Sequence, residues 1–298
     1  METDAPISLA ATQSTGSVSP AGQRIIEFER LREVQESIPT IGNGAPRLPT
    51  PDDFPRSIST VVVPRATEKP VEHVVILLHD FGGTEMTLET FAIRLRERQP
   101  ETAFVLLRGL ESVPTGNSGH NWADSQSDWD GGFSGVGRKI LMDVIKTGLI
   151  TNCGFEPRSI ILLGHGQGGM AALATAAACH RLEFGGVITI GGPMPAYAQL
   201  PHNVKARTPA LVLRRKLGDI NASALQQLRD SFVCLDISTQ PGIHDIVPEL
   251  QEEIEPLLEF FAHRLGREEW TKQAILTFGR NEARLYIDLL TFIRWRRY

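Results

Sequence analysis

Cysteine is scarce in this chain: three in 298 residues, at Cys153, Cys179 and Cys234, with no C-x-x-C pair. That count excludes a disulfide framework and offers no zinc spacing. It fits a reducing compartment, so a cytoplasmic location is expected. Net charge is slight, −5 over the whole chain, which argues against nucleic acid as a partner. No apolar run approaches the roughly 20 residues that a membrane-spanning helix needs. Met1 to Ser19 is rich in Ala, Ser and Thr but lacks the basic start and apolar core of a secretory signal. No His, Asp and Glu cluster has metal-ligand spacing, and nothing calls for a metal or cofactor. What remains is an ordinary globular composition, 41% hydrophobic and 22% charged.

The chain reads in three parts. Residues 1–57 form a disordered or extended N-terminal region, with an amphipathic helix expected at Gln23–Gln35 and a proline-rich linker after it. Residues 58–265 carry the regular structure. Short apolar runs at Thr60–Val63, Val71–Leu78, Ala103–Leu107, Ser159–Gly164, Gly186–Ile190, Ala210–Leu213 and Phe232–Ile237 predict strands. Several are continuously apolar, as strands covered on both faces are. Helical patterns fall between them at Thr87–Arg98, Gly135–Thr151, Met170–His180 and Ala222–Ser231, and Val247–Leu265 closes the set. Alternating strands and helices predict an α/β fold with a doubly wound, mostly parallel sheet.

Residues 266–298 read as a C-terminal helical extension. Its 281–295 segment is strongly apolar and ends among Arg294, Arg296 and Arg297. Two readings stand: a helix packed on this domain, a sister subunit or a partner protein, or a basic amphipathic contact with a membrane surface.

The densest information lies in Leu162-Leu163-Gly164-His165-Gly166-Gln167-Gly168-Gly169-Met170, where an apolar strand meets a small-residue helix. Its frame matches the G-x-S-x-G elbow that lifts a nucleophile above a sheet, with glycine at the nucleophile position. Glycine has no side chain and cannot attack a carbonyl, so Gly166 is a vacant nucleophile position. Gly164-x-Gly166-x-x-Gly169 also matches the dinucleotide fingerprint. That motif wants an acid at the end of the next strand. Here that strand, Gly186–Ile190, runs into Gly191-Gly192-Pro193, and Glu183 lies at its wrong end. A nucleotide-binding oxidoreductase is the lesser alternative.

Upstream, the run Val74 to Leu78 leads into His79-Asp80-Phe81-Gly82-Gly83. With Asn121-Trp122-Ala123-Asp124 and the Gly-Gln-Gly-Gly-Met turn, the chain resembles the phospholipase/carboxylesterase branch of the α/β hydrolases, which includes acyl-protein thioesterases. The resemblance covers roughly residues 60–265. It implies an α/β-hydrolase fold, no cofactor, and a small acyl, ester or thioester ligand. It also implies an oxyanion cradle from the backbone amides of Phe81 and Gln167. Two departures stand out: glycine at 166 where the family has serine, and Asp80 where it has glycine.

The same resemblance places an acid at Asp219, which reads equally well as a turn or cap residue, and a histidine at His244, with Asp245 beside it. His79 is expected to be structural. Asp80, Trp122 and His165 are assigned to the pocket, with Trp129 as a second wall; His120 reads first as a solvated loop residue and second as a lining of the pocket mouth. Three functions follow. One is a degenerate hydrolase that binds an acyl or ester-like ligand. Another is an enzyme using His244 as general base without a covalent intermediate, for hydrolysis, elimination or rearrangement of a small metabolite. The third is the nucleotide-binding oxidoreductase.

Overall fold

The structure, a computed structural model, describes residues 45–113, 119–123, 134–198, 200–201, 203–218, 220–242 and 244–265. The expected helix at residues 23–35, Asp124, Trp129, Asp219 and the 266–298 extension lie outside the described residues.

The strands are β1 (Thr60–Val63), β2 (His73–Leu78), β3 (Thr102–Leu107), β4 (Glu111–Ser112), β5 (His120–Asn121), β6 (Ile160–His165), β7 (Gly186–Ile190), β8 (Ala210–Arg215) and β9 (Leu235–Gln240). Seven of them form one sheet in the order β1-β3-β2-β6-β7-β8-β9. Only β1 runs antiparallel to its neighbour, β3; every other pairing in that sheet is parallel. β4 and β5 pair separately beside the sheet.

Among the described residues five helices cover the sheet: α1 (Glu89–Arg98), α2 (Ser134–Lys139, continued by a wide π-helical stretch Ile140–Asn152), α3 (Gln167–Ala178), α4 (Ala222–Ser231) and α5 (Gln251–Arg264). The alternation along each strand decides the layers. Val74, Ile76, Val105, Leu162 and Val212 face α2, α3 and α4. Val75, Leu77, Phe104, Leu163 and Leu213 face α1 and α5. Both faces are therefore dry, as the unbroken apolar runs require. This is the α/β-hydrolase-type fold, a mostly parallel sheet flanked by helices.

Several boundaries differ from the sequence reading, each for a local reason. The last strand starts at Leu235 rather than Phe232, because the Phe232 N–H closes α4 onto the Leu228 carbonyl. The closing helix starts at Gln251, where Glu253 reaches back to accept from the amides of Glu249 and Leu250. α3 starts three residues early, at Gln167, with Gly166 as its cap. The proline-rich stretch is more than a linker: Pro51–Asp53 forms a 3₁₀ turn and Phe54 enters the core. Its carboxylate Asp53, paired with Arg47, is held down at about 2 by that guanidinium.

Cys153 and Cys179 are buried free thiols, and Cys234 is a partly exposed one. Burial pushes the Cys153 thiol up to about 12. Among the described residues no helix is long and apolar enough to cross a membrane.

Candidate functional site

The site lies at the carboxyl end of the parallel strands, where open α/β sheets bind ligands. β6 ends at His165, the chain reverses at Gly166, and α3 begins at once. Gly166 has φ +50° and ψ −117°, a left-handed corner that a side chain enters only with strain. The turn is pinned from below: the Gly166 N–H donates to the Ile190 carbonyl at 2.8 Å, and its own carbonyl accepts from Met170 at 3.2 Å. Gly164 and Gly168 are needed for closeness. A carbon on either would lie well inside contact distance of backbone, Gly168 for the first and Leu78 for the second.

The loop after β2 is held by a buried histidine. The Gly109 N–H donates to His79 Nε2 at 2.9 Å. That nitrogen is therefore an acceptor, and Nδ1 carries the proton it donates to the Asp80 carbonyl at 2.6 Å. Only a neutral imidazole can do both. Burial acts in the same direction, holding His79 below the ordinary histidine range. Trp122 locks the arrangement. Its indole N–H donates to the His79 carbonyl at 2.8 Å, and its ring stacks obliquely on the imidazole at 5.2 Å. Its backbone N–H donates to Gln167 Oε1 at 2.8 Å. Trp122 is only 1% exposed, so its indole braces this loop from within.

This bracing fixes Asp80. One carboxylate oxygen, Oδ1, accepts from the Phe81 N–H at 2.7 Å and from the Gln167 N–H at 2.8 Å. Those are the two amides that the family resemblance assigns to an oxyanion cradle. A carbon built on Gly166 would fall closer than 3.0 Å to Cγ, Oδ1 and Oδ2 of Asp80. The Asp80 carboxylate thus occupies the space into which a side chain at 166 would point. It also sits at the N-terminus of α3, where a dinucleotide phosphate would be held. Glu183 pairs instead with Arg158, at 2.9 Å.

The other expected residues lie to one side. His165 is partly exposed, with Nε2 3.4 Å from the Asp245 carbonyl. Asp245 Oδ1 accepts from the Arg215 N–H at 2.5 Å, and its carboxylate lies against Gly218 and Gly191. Asp245 thereby stands at the end of β8. His244 is exposed, and among the described residues its ring makes no hydrogen bond. The loop carrying it is anchored by Arg215, which donates to Glu253 Oε1 at 2.6 Å and to the Pro241 carbonyl. Arg215 and Glu253 are 7% and 8% exposed, a buried ion pair that holds the Glu253 carboxyl below its usual range.

A cavity of about 380 Å³ opens beside the cradle loop, walled by Thr84, Glu85, Met86, Arg108 and His120 among others. The Gly82 N–H donates to the His120 carbonyl and the His120 N–H to that of Gly83, joining cavity wall to loop. Glu85 takes a two-point contact from Arg108, which holds its carboxyl down at about 2. No group of metal-ligating side chains occurs among the described residues.

Sequence reasoning placed Phe81, Gln167, Asp80 and Gly166 near one another, and the structure brings these four together. It missed how Asp80 is held. The signal was present as two joint departures, an acid at 80 and a glycine at 166, whose spatial relation needs the folded chain. The Arg215–Glu253 anchor had no sequence signal.

The profile of the phospholipase/carboxylesterase family matches residues 59–219, more than half of the chain. The fold is similar to that of esterase PE8, with 22% identity, a TM-score of 0.58, and coverage of 69% of this chain and 98% of that one. It is likewise similar to Arabidopsis thaliana SOBER1, at 17% identity and TM-score 0.53, covering 65% and 99%. A Bacillus cereus carboxylesterase matches at 13% identity and TM-score 0.52, covering 70% and 94%. No curated protein matches the chain. The strand order, the tight corner at Gly166 and the family profile agree: this chain belongs to the phospholipase/carboxylesterase family of α/β-hydrolase-fold proteins.

Proposed function

We propose that this chain uses an esterase/thioesterase scaffold to bind a small acyl, ester or thioester-type ligand, and that it is a pseudoenzyme with respect to serine chemistry. The observation that supports this reading is the Asp80 carboxylate, lodged against Gly166 with its Oδ1 on the amides of Phe81 and Gln167. Serine acyl transfer needs two things at that place: a hydroxyl to attack, and free donors for the oxyanion that forms. Glycine supplies no hydroxyl. Removing the nucleophile costs about 10⁶-fold in turnover in a well-studied serine protease. The donors are already satisfied by an anion of the chain itself. Losing a single oxyanion donor costs about 10²–10³-fold, and here both are engaged. The general-base alternative rests on His244, whose exposed ring gains no supporting contact among the described residues.

The test pairs a fluorophosphonate probe with hydrolysis of p-nitrophenyl butyrate and a matching thioester. The wild-type protein is expected to remain unlabelled, and to hydrolyse both substrates at the background rate shared by His244→Ala. Labelling of the wild-type protein at the site overturns the proposal. So does hydrolysis above background that His244→Ala abolishes, which would favour the non-covalent enzyme.

A further inference from the structure

We infer that the site is inverted in polarity, so that the ligand group it takes at the cradle is a hydrogen-bond donor, an organic ammonium of the primary-amine class. This rests on the reading above that Asp80 fills the oxyanion cradle, and it names the polar head of the ligand, whose acyl or ester group then lies away from the cradle. An empty cradle of two N–H groups selects an acceptor: a carbonyl oxygen, an oxyanion or a carboxylate. Here both N–H groups converge on Asp80 Oδ1. An ionised carboxylate only accepts, with lone pairs on both oxygens. The second oxygen, Oδ2, accepts no hydrogen bond among the described residues, and Asp80 is partly exposed.

Among the described residues no cationic side chain answers Asp80. Arg108 is committed to Glu85, and Arg215 to Glu253. His79 is neutral, with both ring nitrogens used inside the loop. Trp122 and Gln167 donate and accept around the loop and leave the carboxylate in place.

The carboxylate is therefore fixed by the two amides, with one oxygen left to accept. A neutral ester carbonyl placed against it would set oxygen lone pairs against oxygen lone pairs, and a carboxylic acid anion would add charge repulsion. An ammonium group forms charge-assisted hydrogen bonds there. The chain attached to such a head has apolar surface to follow, since Phe81 and Met86 flank the loop at 49% and 48% exposure.

The test compares three probes of one chain length, hexylamine, hexanol and hexanoate, at pH 7 by ligand-observed NMR titration. The wild-type protein is expected to bind hexylammonium about tenfold or more tighter than hexanol, in line with a hydrogen bond to a charged group, and hexanoate weakest. Asp80→Asn keeps an acceptor oxygen for the two amides but removes the charge, and should erase the preference for the amine. Asp80→Gly empties the cradle and should reverse the order in favour of hexanoate.

The inference is overturned if wild type prefers hexanoate or ranks the three alike, if none binds, or if Asp80→Asn leaves hexylammonium affinity unchanged. The wild-type ranking needs no variant to fold. The serine-probe result does not depend on which head group binds, so the two readings fail separately.

Discussion

Replacing Gly166 with alanine asks one position to take a carbon that two features of the fold exclude. The backbone sits at φ +50°, where an L-residue costs about 1–2 kcal/mol. The new carbon also falls closer than 3.0 Å to the Asp80 carboxylate. Asp80 must then leave the amides of Phe81 and Gln167. Hydrogen bonds to a charged group are worth about 1.5–3 kcal/mol each, and the displaced carboxylate regains water, so the pair is set at the low end, about 3 kcal/mol.

Gly166→Ala should therefore destabilise by about 4–5 kcal/mol, a loss reserved for strongly constrained sites. Asp80→Gly removes the same two bonds and should cost about 3 kcal/mol. In the double variant the alanine meets no carboxylate, so its loss should match that of Gly166→Ala alone, not the sum. The cycle is predicted to be non-additive by about 3 kcal/mol. Urea unfolding followed by tryptophan fluorescence measures all four corners. Additivity within about 0.5 kcal/mol would refute the claim that Asp80 and the residue at 166 compete for one space.

Two further predictions concern pH. Glu85 sits at about 2 because Arg108 stabilises its charged form, so its contribution is full above the ordinary carboxylate range and fades as pH falls towards about 2. Glu85→Gln should be less stable than wild type at pH 7, and the gap in urea midpoint should close between pH 5 and pH 2. A gap that stays constant would contradict the assignment. For His79 the shift is downward through burial, so protonation penalises the folded state once pH drops below the ordinary histidine value of about 6.5. His79→Gln should flatten the fall in stability between pH 7 and pH 5, and an unchanged slope would show that His79 is not the titrating group.

The continuous apolar runs made the parallel sheet legible before any coordinates. A strand with no polar face must be covered on both sides, and the intervening helical patterns supply the covers. Strand and helix ends were less legible. Phe232 looks like strand by composition, yet its N–H is taken by the end of α4. Glu253 looks like a surface acid, yet it caps α5 and neutralises Arg215 from the neighbouring strand. These outcomes depend on partners distant in sequence, and periodicity carries no such information.

Sequence alone determined the α/β class, the corner at Gly166 and the absence of a hydroxyl there, because each is written in local composition and spacing. It also singled out the amides of Phe81 and Gln167, since backbone donors follow from the turn and not from side chains. Tertiary structure alone decided what those two amides hold. Asp80 and Gln167 are separated by 87 positions and meet only because β2 and β6 are adjacent in the sheet. His79, fixed by Gly109 and Trp122, then orients the loop so that its acid, and not solvent, takes the two N–H groups.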